Sequence, residues 1–475
     1  MRQWQCRVPV SASVSLLAVI SAAAGCRAGW ESGTGTVGTA SDADADADTD
    51  TMTDEGAPVG LEHPSCDREW TDLRLGTELD DQLRGMAIDE EGNLYLAGFE
   101  GGITGVTNID PAGDARGVIL QMDSAGTVRW RAVLDTEAAD TVEHLAVDPA
   151  SGRIYAVGRT SGAFERFANR GQVDGFLAEV DPHGQLGAIV QWGDERPQHP
   201  VRLSLGLRGD LAVAGFDDIY VPSNYVEALE DGFVAGFDRS EAAAAGFSQR
   251  FLQKVSLGEG SRITDVVIDR DESRGESGSM YVTRYVGGPR ASAGIYVQKL
   301  SRDGALLWST RISGLWVDMV TAVGLSPSGE LFVTGATFLQ LGKRRFGQQD
   351  AFLLKVDTRS GRVLWSAQAG SPESDYPTAL AFDDAGNIYM AGETLGSVVP
   401  GAANQGSADV FAVKVDASGA LLASWQKGSA AYDSATSMVV DYCGRVLVGG
   451  YSRGSLVDGG PSPSGDDMFV LRAAL

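Results

Sequence analysis

From about residue 80 to the C-terminus, apolar positions come in short runs of alternating or continuous hydrophobicity, broken by Asp/Gly turns. One pattern recurs seven times. Its first half reads GMAIDEEGNLYLAGF from Gly85, HLAVDPASGRIYAVGRT from His144, RLSLGLRGDLAVAGF from Arg202 and TDVVIDRDESRGESGSMYVTRY from Thr264. It continues as TAVGLSPSGELFVTGAT from Thr321, TALAFDDAGNIYMAGET from Thr378 and SMVVDYCGRVLVGGYS from Ser437. Each is an apolar strand, a tight turn and a second strand, which is a hairpin signal. Asp and Asn suit the turn, and Gly supplies positive φ. The landmark residues Tyr95, Tyr155, Leu211, Tyr281, Phe332, Tyr389 and Leu447 fall roughly 50 to 70 residues apart, the spacing of four-stranded propeller blades.

The second half of each copy is as regular, as in DGFLAEVDPHGQLGAIVQW and DAFLLKVDTRSGRVLW. A large apolar residue opens a third strand, and a fourth usually carries Trp: Trp130, Trp192, Trp308, Trp365 and Trp425. The four strands are labelled A to D from the axis outward. The last copy ends at strand C, around Met468 to Leu471. The missing strand D is expected from REWTDLRLGTELDD, Arg68 to Asp81, which carries Trp70. The chain is therefore expected to be all-β, a seven-bladed β-propeller of four-stranded blades. The N-terminal strand completes the last blade and removes the free sheet edges. The fourth copy departs most, with an A–B turn expanded over Asp269–Ser279.

The segments DDAGNIYMAGET (383–394), VVPGAANQGSADVFAVKVDASG (398–419) and QQDAFLLKVDTRSG (348–361) resemble the bacterial β-propeller repeat family known as SBBP repeats. The resemblance extends over about residues 68–475. It implies the propeller fold and leaves function open, because fold does not fix function.

The N-terminus reads as an address. Residues 1–25 carry Arg2 and Arg7, then an apolar stretch from Val10 to Ala24, as in a secretory signal peptide. Ala23-Ala24-Gly25-Cys26 resembles a lipobox, so Cys26 is the expected lipidation site. Residues 26–66 are rich in Gly, Thr and Asp, with the run SDADADAD at 41–48, and are expected to be an extended tether. No Gly or distal Glu falls where a calcium loop needs it, so the run reads as a solvated spacer. The propeller domain is assigned to residues 67–475.

The formal net charge is −26, which argues against nucleic acid and anionic lipid surfaces as partners. Of four Cys, Cys6 leaves with the signal and Cys26 is acylated. Cys66 precedes the closing strand, and Cys443 sits in the A–B turn of the seventh copy. In a meander those two turns share a face, so a Cys66–Cys443 disulfide is expected to lock the ring. Closing so long a loop stabilises nominally by about 4–5 kcal/mol.

No catalytic motif is present. The four histidines, His63, His144, His183 and His199, do not recur at matching positions, and zinc spacings, HExxH, GxSxG and phosphate-loop motifs are absent. No metal or cofactor is expected. Asp89, Asp148, Asp357 and Asp383 recur by repeat position and read as turn caps, and the strand D Trp as outer packing. The copies differ in their B–C loops, and variable loops on a rigid scaffold are where binding usually lies. Candidate binding residues are Phe164, Arg166 and Phe167, Tyr220 and Tyr225, and the basic cluster Lys343, Arg344, Arg345 and Phe346.

The function expected from sequence is a lipid-anchored, monomeric, non-catalytic binding or scaffolding module of the cell envelope, on the outer membrane. Its partners would be proteins or glycans, and it would meet the membrane through its anchor alone. Two alternatives stay open. One is an envelope polysaccharide lyase or hydrolase, which needs carboxylates or a Tyr/His/Arg cluster at the axis or loop face. The other is an outer-membrane assembly factor, since the Asp-x-x-Gly-x-x-x-Trp turns resemble those of quinoprotein-like propellers.

Overall fold

The computed structural model describes residues 70–475 apart from 105–110, 113, 220–228, 241–242, 244, 256–260, 272–277, 288–292, 314–317 and 458–464. Seven antiparallel sheets succeed one another, each an A-B-C-D meander. In blade 1 the four strands are Asp80–Ile88, Leu94–Thr104, Arg116–Met122 and Val128–Leu134, with the short Pro111–Ala112 pairing on strand B. The remaining A strands are Asp140–Val147, Gln198–Leu205, Ser261–Ile268, Met319–Leu325, Asp375–Phe382 and Asp433–Val440. No helix among the described residues is long and apolar enough to cross a membrane.

The seventh blade is built from both ends of the domain. Asp433–Val440, Val446–Ser452 and Asp467–Ala473 supply strands A to C, and Leu73–Leu75 is the outer strand. Leu73 opposes Val470 and Leu75 opposes Met468. The ring closes by this strand exchange, and Leu83 and Met86 of blade 1 share one apolar cluster with Val439, Leu447 and Val470 of blade 7. The expanded turn of blade 4 spans the gap between Ile268 and Met280.

The turns explain the Asp/Gly signature. Asp383 accepts the Asn387 amide (2.8 Å), the Asn387 side chain (2.7 Å) and the Tyr389 hydroxyl (2.9 Å). Asp89 repeats the set with Asn93 and Tyr95. Asp148 accepts the Ala150 amide and Asp357 the Ser360 amide. The C–D turn glycines carry a second requirement. Gly184 (φ 82°) lies under the Trp130 ring, and Gly361 (φ 71°) lies under Trp308, each on the blade before. A Cβ at either would sit within 2.7 Å of the indole. Trp130 Nε1 then donates to the Pro182 carbonyl, and Trp308 Nε1 to Thr358. The strand D Trp is thus a lock between outer edges of adjacent blades. Phe251 over Gly304 and Leu73 beside Gly126 fill the same role without an indole.

Strand B carries the tightest backbone contact. In six blades one register position is Gly: Gly98, Gly158, Gly215, Gly335, Gly392 and Gly450. A Cβ there would stand 1.9–2.3 Å from a carbonyl oxygen of strand A. Blade 4 has Arg284 instead, its guanidinium 5.6 Å from the Tyr296 ring.

In most blades a buried acid at the start of strand A ties that end to strand B. Thr394 Oγ1 donates to Asp375 (2.6 Å), and Thr337 Oγ1 to Asp318 (3.0 Å). Ser452 donates likewise to Asp433. Burial outweighs these donors at Asp375 and pushes its carboxyl up to about 7. A carboxyl raised from an ordinary value near 4 favours the fold below that value and loses this contribution as pH rises through about 7. Thermal unfolding is therefore expected to fall in temperature between about pH 4 and pH 7 at this site. In Asp375→Asn that part of the slope should vanish. Equal slopes in the two proteins would refute the assignment.

Gly392→Ala should cost about 2–4 kcal/mol, because Cβ has no room beside the Tyr376 carbonyl. Gly386→Ala, in an open turn at φ 80°, should cost only about 1 kcal/mol of backbone strain. Chemical denaturation of both variants checks the ranking.

Candidate functional site

Seven inner strands facing one another around an axis leave one backbone edge each without a ladder partner. Every A strand has the same answer, a β-bulge at the same register. The bulged residues are Arg84, Glu143, Val201, Thr264, Thr321, Thr378 and Thr436. All seven are partly exposed although strand A is flanked by its neighbours. The exposure comes from the axial space. Thr378 donates to the Ala435 carbonyl of the next blade (2.8 Å), and Thr436 to the Leu83 carbonyl (2.7 Å). Asp265 and Ser437 reach across similarly and accept the amides of Val323 (2.9 Å) and Met86 (3.0 Å).

In blades 1 to 3 the threonine is gone and the register holds Arg84, Glu143 and Val201. Two residues nearer the B–C face, seven cross-strand pairs form the mouth of the axis. They are Gln82 with Phe99, Thr141 with Arg159, His199 with Phe216 and Arg262 with Tyr285. Met319 with Ala336, Tyr376 with Glu393 and Ser434 with Tyr451 complete the ring. Equivalent positions thus carry seven different chemistries.

These side chains connect into a belt. The Arg262 guanidinium lies 4.5 Å from the Phe216 ring, which stacks on His199 at 4.9 Å and 22°. Arg159 Nη1 donates to His199 Nδ1 (3.0 Å), since a guanidinium can only donate. Arg159 Nε donates to Glu143 (3.0 Å), which also accepts from Thr141 (2.8 Å). Burial pushes the Glu143 carboxyl up, but Arg159 and Arg84 together outweigh it and hold it at about 2. Arg84 lies 5.6 Å from the Phe99 ring, and its charge acts on Tyr451. Tyr451 packs against Tyr432 (6.2 Å), and the Tyr432 hydroxyl donates to Glu393 (2.6 Å). Among the described residues the Met319–Ala336 pair of blade 5 takes no part in the belt.

Burial dominates the other titrating groups. It raises the Glu393 carboxyl against the Ser434 and Tyr432 hydrogen bonds, and lifts Tyr451 to about 12. It lowers His144 to about 3, with Arg202 adding to the effect, so this imidazole is neutral at physiological pH. Asp265 rises to about 6, burial winning over Arg202. Among the described residues no group of three or more His, Cys, Asp or Glu could hold a metal ion.

The residues expected from the B–C loops lie elsewhere. Registers such as Asp375 with Thr394 and Thr394 with Asp409 put the loops on the face where strand A begins. In blades 2, 5 and 6, however, the loop leans outward onto strand D. Gln191 accepts the Phe164 amide (3.0 Å), Gln368 those of Leu341 (2.7 Å) and Gly342 (2.6 Å), and Gln426 that of Val398 (3.0 Å). Phe164 is core: it is 7% exposed and meets Phe176 edge-on at 5.1 Å. Phe167 packs on the same cluster, and Arg166 between them is exposed at φ 76°. Lys343, Arg344 and Arg345 are exposed. Arg344 covers Phe346 (4.1 Å), and Arg345 is tied to the carbonyls of Gly347 (2.8 Å) and Gln348 (2.9 Å). Tyr220 and Tyr225 lie outside the described residues, as do Cys26 and Cys66. Cys443 is disulfide-bonded, and the other three cysteines of the chain all precede residue 70.

Sequence reasoning passed over the belt. The signal was present in the aligned repeats, in the residue after the strand B glycine: Phe99, Arg159, Phe216, Ala336, Glu393 and Tyr451. Its variation stands out only once that position is known to face the axis.

Residues 364–398 match the family model described as SBBP, beta-propeller repeat. No curated protein matches the chain. Among solved structures, a luciferin-regenerating enzyme is similar at TM-score 0.37 and 11% identity, over 85% of this chain and 95% of that one. The repeat type and the sheet topology agree on one description: the chain is a seven-bladed propeller carrying a repeat similar to SBBP.

Proposed function

We propose that this protein is a lipid-anchored binding module of the cell envelope, on the outer membrane, and that the axial mouth is its ligand site. The carrying observation is the belt. A repeat scaffold keeps equivalent positions alike where they serve folding, as with the strand B glycines and turn aspartates. At the mouth the same scaffold presents seven different pairs, five of them bearing Arg, Glu, Tyr or His. Cys26 is the acylation site in this reading. The described chain enters at Trp70 on the side of the A–B and C–D turns, opposite the mouth, and in this reading the mouth faces away from the anchor. Cys66, four positions before Trp70 in the sequence, is the proposed partner of Cys443, which lies in the A–B turn of blade 7.

The test is capture by the purified full chain on a glycan array and from envelope extract. The double variant Arg84→Gln, Tyr376→Ala should lose the specific ligand. The loop variant with Lys343, Arg344, Arg345 and Phe346 changed to Ala should keep it. The reverse outcome would move the site to the loops. Cys26→Ser should shift the protein from the membrane fraction to the soluble fraction and abolish incorporation of labelled palmitate. Retention on membranes without label would remove the anchor from this reading.

A second reading is an enzyme acting on envelope polysaccharide. It is favoured by the Tyr432–Glu393 hydrogen bond beside the axis, a hydroxyl and a raised carboxyl at 2.6 Å. Against it, His199 is 2% exposed, lies flat on Phe216 and has its Nδ1 occupied by Arg159. Release of reducing ends or unsaturated sugars by the wild type, lost in Tyr432→Phe, would establish it.

A further inference from the structure

Arg84 stands at the bulge register where four blades place threonine. Its guanidinium reaches the Phe99 ring, yet its buried Nε has no hydrogen-bond partner. Several other arginines are matched to acids: Arg453 pairs with Asp466 (2.7 Å), Arg445 with Asp441 (2.6 Å) and Arg239 with Glu179 (2.6 Å). A buried N–H without an acceptor costs about 1–3 kcal/mol. Glu143, the carboxylate whose charge it shares, is already bonded to Arg159 and Thr141.

The local charge runs against that of the whole protein. The formal net charge is −26, but the mouth gathers Arg84, Arg159, Arg202, Arg262 and Arg453 around Glu143, Asp265, Glu393 and Asp466. Asp265 and Glu393 are raised by burial and give up charge first as pH falls. A mouth richer in cations than the body around it attracts an anionic group presented at the end of a ligand and disfavours a polyanion laid along the acidic surface. Arg presents a planar fork that matches a carboxylate with two parallel hydrogen bonds. On blades 6 and 7 Tyr376 and Tyr432 are partly exposed, and buried Glu393 Oε1 has no hydrogen-bond partner. Flat aromatic faces bordered by hydroxyl and carboxyl groups suit a sugar ring, which is apolar on its faces and polar at its edge.

The geometry points to a carboxylated sugar chain as the ligand, entering end-on from the B–C face with a uronate carboxylate on Arg84 and a ring against the tyrosines of blades 6 and 7. This rests on the reading of the axial mouth as the binding site and adds its ligand class.

Calorimetric titration of the purified full chain tests it. The probes are hexamers of galacturonate, mannuronate and guluronate, their methyl esters, and neutral xylo- and cellohexaose. At least one uronate hexamer should bind, with its methyl ester weaker by tenfold or more and its affinity falling as salt rises from about 50 to about 500 mM. Arg84→Gln should weaken binding about tenfold or more without lowering the unfolding temperature. Arg84→Lys should recover only part, because an ammonium lacks the fork. If Arg84→Gln does not fold, Arg262→Gln serves, since Arg262 is partly exposed on the same belt. Equal binding of uronates and esters, or wild-type binding by a folded Arg84→Gln, overturns the inference. Neutral hexamers bound in preference and lost in Tyr376→Ala would overturn the charged ligand class while leaving the axial site in place. Binding of no sugar overturns the carboxylated-sugar ligand, and capture by the axial and loop variants then decides the site separately.

Discussion

The structure depends on how seven inner strands meet around an axis without leaving their backbone edges bare. An edge strand exposes a row of amides and carbonyls, and these must be bonded or wetted. Here each inner strand bulges at one register, and several send side chains to the neighbouring blade's backbone. Thr378 and Thr436 supply hydroxyl donors, while Asp265 and Ser437 supply acceptors. A bulge turns one residue out of the ladder, and in a ring the direction left to it is the axis. The device that solves the edge problem therefore also creates seven side-chain positions at the centre of the molecule.

The outer circumference solves a different problem with different residues. There the neighbouring blade is farther away, so a large ring bridges the gap. Trp130 and Trp308 reach across to turns whose glycines have no Cβ to obstruct them. The indole and the glycine are two halves of one contact, which is why both recur with the repeat. Where the Trp is replaced, by Phe251 or Leu73, the turn glycine stays. The positive φ of that glycine is required whatever covers it.

Between rim and axis the blades are uniform, and departures from uniformity mark where folding stops dictating the residue. Arg284 in place of the strand B glycine and Arg84 and Glu143 in place of threonine are such departures. They cluster at the mouth of the axis in blades 1 to 4. Buried charge there is held by mutual pairing. Arg159 bridges Glu143 and His199, and Phe216 is covered on one side by His199 and reached by Arg262. Such a set costs desolvation energy that a wholly apolar mouth would avoid. The loops, by contrast, are drawn outward by glutamines on strand D, so their variability does not reach the axis in blades 2, 5 and 6.

Strand pattern, turn chemistry and repeat number were legible in the chain because each is local. Alternation sets which face is buried, Asp-x-x-Gly sets the turn, and the orphan strand at Arg68–Asp81 matches the strand missing after Leu471. The candidate site was not legible, because its residues come two or three to a blade and lie up to 369 positions apart, from Gln82 to Tyr451. Phe164 looked like a loop residue and is core, since a glutamine on the outer strand pulls its loop down onto the sheet. Arg159 and Glu393 lie near the ends of their B strands and form the mouth, since ring closure brings those ends together. Sequence by itself determined what each blade is. Which positions share a surface was decided only by the circular arrangement of the blades, a long-range constraint that no local pattern encodes.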